Sequence, residues 1–324
     1  MLGKLAASIA IATTMLVTGT VAQDKLVLKL GHPSSTIYPT HIGALKFAEE
    51  VDRLSGGTME VQVFPLSQLG SERDLIEGMQ IGSVDMAIVP NLTISNFVPA
   101  APLLDLPLFY KDADHLLRAV HSEPGQQVIS MYEEQIGKVL AYYRVNPQSI
   151  YNKTRPINSL EDISGLKLRV VQSPTQIDLF GQLGAAPTAL PLSEVYGALQ
   201  QGIVEGAAND PETLLGMKHY EIAKYYSLTK HIYFLNYVFI SNIRWNALSA
   251  EQQGWLAEAA QLSAEAEATY ADESFEQRLE ELRGLGVEVN ELDREPLREV
   301  VSPMWEKWVP TEHHDLLKQI LTIE

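Results

Sequence analysis

The first third of the chain alternates between extended and helical hydrophobic patterns. Residues 58–64 carry apolar side chains at every second position, as in a strand with one buried face, and residues 25–30 also predict a strand. Residues 39–54 carry apolar side chains three and four positions apart, which is typical of an amphipathic helix. A further helix is predicted from Ser71, and a buried strand over 84–90. This order of elements predicts a mostly parallel sheet with helices on its faces.

A second alternation of strands and helices follows, without a detectable sequence repeat. Strands are predicted at 139–145, 148–152, 166–171, 204–208, 233–241 and 287–290. Helices are predicted at 114–135, 174–183, 193–201, 211–220 and 294–309. Ser249-Ala-Glu-Gln252 forms a capping box, which predicts the start of a helix that continues to about Arg283. At 1.5 Å per residue this helix would be about 50 Å long, so we expect it to lie along the surface of more than one domain.

The most informative stretch is Gly165-Leu-Lys-Leu-Arg-Val-Val-Gln-Ser-Pro174, which contains one of these strands. Pro174 suits the first turn of a following helix, because its φ angle is fixed at a helical value. Arg169 at the end of the strand would face the crevice in which open α/β sheets bind ligands. Its planar guanidinium can hold a carboxylate through two parallel hydrogen bonds. From this pattern alone, a carboxylate-binding arginine and a structural or solvated charge both remain open.

Composition narrows the class of protein. The 324 residues are 46% apolar and 20% charged, which is a globular composition long enough for two domains. The formal net charge of −17 argues against nucleic acids and anionic membrane surfaces as partners, since both attract basic patches. The chain has no cysteine, which excludes disulfides and cysteine-based metal sites or nucleophiles.

Residues 1–22 predict a secretory signal peptide. Lys4 precedes an apolar run over 5–17, and the small residues Thr20-Val-Ala22 suit cleavage after Ala22. The apolar run is too short to span a bilayer comfortably, and no later segment is long and apolar enough to do so. We therefore expect an exported protein without membrane insertion once the signal has been cleaved.

No motif indicates an enzyme or a cofactor. The chain lacks a GxSxG elbow, an HExxH pair, a GxGxxG turn and a phosphate loop, so we predict no catalysis, no cofactor and no metal site. One group of oxygen-bearing side chains could in principle hold a hard cation, although a solvated loop is the favoured interpretation. This group consists of Glu205, Asn209, Asp210 and Glu212.

Several short motifs, in order over residues 25 to about 310, resemble one transporter family. They are Phe47-Ala-Glu-Glu-Val51, Val63-Phe-Pro65 with Gln68-Leu-Gly70, Leu106-Pro-Leu-Phe109, Arg155-Pro-Ile157, Leu160 to Arg169, Ser193 to Gln200, and Val204-Glu-Gly206 through Asn209. Each motif is weak alone, but their order and spacing are specific. The chain resembles the periplasmic solute-binding subunit of tripartite ATP-independent periplasmic (TRAP) transporters.

The resemblance implies a two-domain α/β clamshell of the periplasmic-binding-protein type. Each domain would be a mixed, mostly parallel sheet flanked by helices, with a long helix spanning both. The expected division is 23–145 with about 236–265 in the first domain, and 146–235 with about 266–324 in the second. The cleft between them would close on a small organic acid anion for delivery to the membrane subunits of the transporter.

The resemblance also assigns site residues. The arginine that matches Arg169 holds the ligand carboxylate in this family, and the asparagine that matches Asn209 lines the same cleft. Glu72 matches a cleft glutamate of some sugar-acid-binding members, although a carboxylate also suits a helix start. Five more residues are considered as ligand contacts. Tyr38 and His32 lie on the loop after the first strand, and Gln148 lies where many members have a second anion contact. Asn236 and Tyr237 lie in the long strand predicted over 233–241, which would cross between the domains.

The chain departs from the family pattern at two places. Many members have a second arginine where this sequence has Gln148-Ser149, and Arg144 lies out of register with that position. The usual Gln-Glu-Asn is Ala207-Ala208-Asn209 here. Both changes favour an acid that carries no charge besides its carboxylate, such as a sugar acid or a hydroxy acid. Two other classes remain open: a ligand-sensing module for a membrane receptor, and a secreted enzyme on the same scaffold.

Overall fold

A computed structural model describes residues 25–324, so the predicted signal peptide lies outside the described residues. Strands of the described chain are β1 (Leu26–Gly31), β2 (Met59–Phe64), β3 (Met86–Pro90), β4 (Gly137–Arg144), β5 (Gln148–Asn152), β6 (Lys167–Val170), β7 (Ala186–Ala189), β8 (Gly206–Asn209), β9 (Tyr225–Ile232), β10 (Leu235–Ser241) and β11 (Glu288–Glu291). Helices are α1 (Pro39–Leu54), α2 (Glu72–Ile81), α3 (Asn91–Ile94), α4 (Ala113–His121), α5 (Glu123–Gln135), α6 (Pro174–Gln182), α7 (Val195–Gln201), α8 (Pro211–Gly216), α9 (Asn242–Ala247), α10 (Ala250–Gly284), α11 (Glu295–Val301), α12 (Trp305–Trp308) and α13 (His314–Ile320).

The strands form two mixed sheets, each flanked by helices. The first sheet has the order β2-β1-β3-β10-β4, in which β1 runs parallel to β2 and β3 while β10 is antiparallel to both of its neighbours. The second sheet has the order β11-β9-β5-β8-β6-β7 and is also mixed. We call each sheet with its packed helices the first lobe and the second lobe. The chain crosses between them from β4 to β5 and from β9 to β10, which confirms the predicted two-lobed α/β architecture.

The long helix α10 joins the two lobes along one side. Ser249 and Gln252 form the predicted capping box at its start, with the Ser249 hydroxyl accepting from the Gln252 N–H. Its 35 residues correspond to about 52 Å. The helix packs on α1 and β4 in the first lobe and on α8 and β11 in the second. The prediction of a helix that spans both lobes is therefore confirmed.

Several predicted elements differ from the structure. The helix predicted over 114–135 is two helices, because Ser122 caps the start of α5 and Pro124 cannot continue the helical hydrogen bonds of α4. The helix predicted over 294–309 is interrupted in the same way near Pro303. The strands β7 and β9 were not predicted.

The C-terminal segment departs from the expected division of the chain. Side chains of its last turns pack in the hydrophobic core of the first lobe, beside α5, although all of 266–324 was expected in the second domain. They belong to Val309, Leu316, Leu317 and Ile320. Within residues 25–324, no helix has the length and apolar character needed to cross a bilayer.

Candidate functional site

A cavity lies between the two lobes, beside the chain crossings. The space between its walls, which includes solvent at its open side, is about 410 Å³. Both sheets and the segment after β9 contribute to its lining. The lining residues are Pro33, Ser34, Tyr38, Glu72, Pro90, Leu92, Gln148, Arg169, Val171, Leu192, Asn209, Thr213, Phe234 and Asn236. Six of the eight predicted site residues are among them.

Arg169 is the buried cation of this cavity. It lies in β6, between β7 and β8, and is only 1% exposed. Its Nε donates to the carbonyl oxygen of Leu190 at 2.9 Å, which orients the guanidinium. Its Nη1 is buried and has no hydrogen-bond partner among residues 25–324. Burial lowers the pKa of this guanidinium, although an arginine remains protonated in proteins. The group is therefore oriented and has donor capacity left for an anion.

Glu72 faces Arg169 from the other lobe. It is the first residue of α2, whose start is set by a capping box between Ser71 and Asp74. Burial raises the pKa of the Glu72 carboxyl, and the nearby positive charge of Arg169 opposes part of that rise. A carboxylate at this place can accept hydrogen bonds from ligand hydroxyls and repels a second ligand carboxylate.

The second lobe also presents two amide side chains. Asn209 ends β8, where it is paired with Ser149 of β5, and its Oδ1 accepts from the backbone N–H of Asp210 at 3.1 Å. Gln148 begins β5, and its buried Oε1 has no hydrogen-bond partner among the described residues. Both amides can donate to an anion or to hydroxyls, and neither adds charge.

The first lobe contributes Tyr38 and Asn236. Tyr38 precedes α1 and its hydroxyl donates to Oδ2 of Asp210 in the second lobe at 2.5 Å. Asn236 lies in β10 opposite Pro90, and its Nδ2 donates to the hydroxyl of Thr40 at 2.8 Å. These two bonds hold the ring of Tyr38 and the amide of Asn236 in place at the cavity wall.

Two predicted site residues lie elsewhere, which corrects their assignment to the cavity. Tyr237 packs against Tyr132 and Tyr142 in the core of the first lobe, because successive side chains of a strand point to opposite faces and Asn236 takes the cavity side. His32 is fully buried and is absent from the cavity lining, and its Nε2 lies 3.1 Å from Nδ1 of His41. Burial lowers the pKa of His32 to about 3, so the ring is neutral near pH 7.

The suggested cation cluster does not assemble, and it is not a solvated loop either. Asp210 is fully buried and caps α8 by accepting from the Thr213 N–H at 2.8 Å. Glu212 is also buried and accepts from Asn146 and Ser274. No group of three or more His, Cys, Asp or Glu in residues 25–324 is arranged to hold a metal ion.

Several apolar and polar residues that line the cavity were not predicted from the sequence. Thr213 follows Asp210 by three residues, so the capping pattern at the start of α8 could have located it. Phe234 lies in the crossing between β9 and β10, where no sequence pattern marks the cavity. Leu92, Leu192 and Val171 complete the apolar part of the wall.

Comparison with known proteins identifies relatives over most of the chain. Residues 30–311 match the profile of the family described as bacterial extracellular solute-binding protein, family 7. A solute-binding protein of Roseobacter denitrificans is 33% identical over 271 residues, which cover 83% of this chain and 83% of that protein.

Two solved structures resemble the fold closely. A TRAP periplasmic solute-binding protein of Roseobacter denitrificans with bound L-galactonate superimposes with a TM-score of 0.88 at 30% identity, over 93% of this chain and 100% of that one. A TRAP periplasmic solute-binding protein of Pseudomonas putida with bound D-glucuronate gives a TM-score of 0.87 at 31% identity, over 92% and 98% of the two chains. Since the profile match covers most of the sequence and the fold agrees, this chain belongs to bacterial extracellular solute-binding protein family 7, as a solute-binding protein of the TRAP transporter type.

Proposed function

We propose that this protein captures the anion of a polyhydroxylated monocarboxylic acid, of the sugar-acid class, in the cavity between its lobes. The observation that carries the proposal is the guanidinium of Arg169, which is 1% exposed, oriented by Leu190 and left with an unpartnered Nη1. A buried donor without a partner is costly, so a ligand carboxylate that accepts from it gains affinity. Related TRAP proteins have been solved with L-galactonate and D-glucuronate, which both carry one carboxylate and several hydroxyls.

The remaining polar groups of the cavity support a ligand that carries no charge besides its carboxylate. Arg169 is the one Lys or Arg among the residues that line the cavity, and Glu72 already lies close to it. A second carboxylate on the ligand would meet Glu72 rather than a second cation. The amides of Gln148, Asn209 and Asn236 and the carboxylate of Glu72 suit hydroxyl groups, which both donate and accept.

Capture would proceed by closure of the two lobes around the acid, as in other periplasmic binding proteins. We place the hinge in the two crossings, at 145–147 and 233–234, with α10 as the third connection. We infer that residues 1–22 direct export, that the ligand leaves unchanged, and that the closed protein delivers it to the TRAP membrane subunits. Mass determination of the secreted protein, product analysis after incubation with the acid, and uptake assays with the membrane subunits test these three points.

The decisive experiment is a thermal-shift screen of residues 23–324 followed by calorimetry. The panel contains L-galactonate, D-glucuronate and D-galacturonate, the dicarboxylates succinate and malate, and the neutral sugar galactose. A ligand that binds the native state alone raises the melting temperature by mass action. We expect shifts with sugar acids and none with galactose. Stronger binding of succinate than of every sugar acid, or no shift with any acid, would refute the proposed ligand class.

A further inference from the structure

One hydrogen bond between the lobes involves a residue of the cavity wall. The hydroxyl of Tyr38 in the first lobe donates to Oδ2 of Asp210 in the second lobe, across 172 positions of sequence. The side chain of Tyr38 lines the cavity, and so do Asn209 and Thr213 on either side of Asp210 along the chain. The bond therefore joins two walls that a ligand would touch.

Asp210 depends on few donors. It is fully buried, and its Oδ1 is taken by the backbone N–H of Thr213. The other oxygen is the one that accepts from Tyr38. Arg144, the last residue of β4 before the first crossing, pairs instead with Asp114 and Asp272. Without the hydroxyl of Tyr38, half of this carboxylate would be buried without a partner, which is unfavourable.

Two further buried carboxylates lie near the bond between Tyr38 and Asp210. Glu212, two residues further along α8, is buried and accepts from Asn146 in the first crossing and from Ser274 of α10. Glu267 of α10 is buried as well and accepts from the backbone N–H of Arg144. Three carboxylates thus lie in one buried region beside the hinge.

Two further contacts also join the lobes. The hydroxyls of Ser95 and Ser173 lie 3.1 Å apart, and Nδ2 of Asn96 donates to the backbone carbonyl of Gln172. Ser95 and Asn96 follow α3 of the first lobe, while Gln172 and Ser173 precede α6 of the second. The lobes are therefore in contact at two separate sets of residues, which describes a closed cleft. Of these contacts, the one between Tyr38 and Asp210 involves a fully buried carboxyl group.

We propose that Tyr38 and Asp210 are positioning residues for ligand capture: their hydrogen bond forms as the cleft closes and holds Asn209 and Thr213 against the ligand. This inference rests on the proposed function, since it assigns how the closed state around the acid is maintained. In the open protein the carboxylate of Asp210 is hydrated and the phenol of Tyr38 has water as its partner. The bond therefore contributes to affinity for the ligand and contributes little to the stability of the free protein.

The test is a double-mutant cycle with the variants Tyr38→Phe, Asp210→Asn and both together, using D-glucuronate and L-galactonate as probes. Tyr38→Phe keeps the ring at the cavity and leaves a buried carboxylate oxygen without a donor, so we expect affinity to fall about 10- to 100-fold, mainly through faster dissociation. Asp210→Asn removes the charge and keeps one acceptor oxygen and a good helix cap. We expect the double variant to bind no more weakly than Tyr38→Phe alone.

A second measurement separates positioning from a structural role. The melting temperature of each ligand-free variant should stay within about 2 °C of the wild type, because the bond is absent from the open form. Tyr196→Phe is the matched control: its hydroxyl also donates to a carboxylate, Glu221 at 2.6 Å, but the pair is exposed and away from the cavity. We expect this variant to bind like the wild type.

The outcomes are distinguishable. If the wild type binds neither probe nor any other acid of the panel, the proposed function fails and this inference fails with it. If the wild type binds but Tyr38→Phe binds within threefold of it, the inference alone is overturned. Additive effects of the two substitutions, or an equal loss of melting temperature in the ligand-free variants, would also overturn the positioning role.

Discussion

Replacement of Arg169 by alanine is the most direct test of the site. The substitution removes the cavity's cation and leaves Glu72 buried without it. The charge pair that matters for affinity is the Arg169 guanidinium with the ligand carboxylate. Truncating one partner of such a buried, hydrogen-bonded pair costs about 2–5 kcal/mol, which corresponds to roughly 30- to several-thousand-fold in affinity. Arg169→Lys keeps the charge but loses the planar fork and the bond from Nε to Leu190, so we expect an intermediate loss of about 10- to 100-fold.

Isothermal titration calorimetry with the sugar acid that the screen identifies measures these losses. Arg73→Ala is a suitable control, because Arg73 is an exposed cation next to Glu72 that pairs with Glu77 outside the cavity. It changes the net charge equally and should alter affinity less than twofold. The double variant Glu72→Gln/Arg169→Ala shows how much of the loss of affinity comes from burying the Glu72 carboxylate without the positive charge of Arg169. Binding of the same acid by Arg169→Ala within about threefold of the wild type would refute a carboxylate-binding role for Arg169.

Three further predictions concern specificity and stability. Glu72→Gln should improve binding of dicarboxylates relative to sugar acids, because it removes the repulsion of a second carboxylate, and an unchanged ratio of dissociation constants would contradict this role. Burial raises the pKa of Asp105 from 3.8 to about 8, so the folded protein holds a proton on this carboxyl that the unfolded chain releases; the stability of the protonated form is fully present below pH 3.8 and is lost as the pH rises through about 8. The free energy of unfolding of Asp105→Asn, measured in urea, should therefore rise relative to the wild type by up to about 1.4 kcal/mol per pH unit between pH 5 and 8. A difference that stays constant with pH would contradict this prediction. Gly43→Ala should destabilise by about 1–3 kcal/mol, because the added Cβ would lie 2.7 Å from the ring of Tyr143 where α1 packs closely on α10, and an unchanged melting temperature would show that the ring can move away.

The sequence alone was sufficient for the architecture and the central charge. Local patterns located most strands, the capping box that starts α10 and the strand that carries Arg169, because periodicity and capping depend on residues that are close along the chain. The ordered motifs of the resemblance supplied the family and the assignments of Arg169 and Asn209. Burial and orientation of the Arg169 guanidinium did not follow from the pattern, since they depend on Leu190 and on the opposite lobe.

Only the tertiary structure decided which of the neighbouring side chains face the cavity. Asn236 and Tyr237 are equivalent in the sequence pattern, because β10 is buried on both faces and has no polar side to mark its orientation. The partnership of Tyr38 with Asp210 joins residues 172 positions apart, and no local signal encodes such a pair. The return of the C-terminal residues to the first lobe is likewise a matter of packing. Contacts of this kind arise when separate apolar faces are buried together, so they depend on the three-dimensional arrangement of elements rather than on the pattern within any one of them.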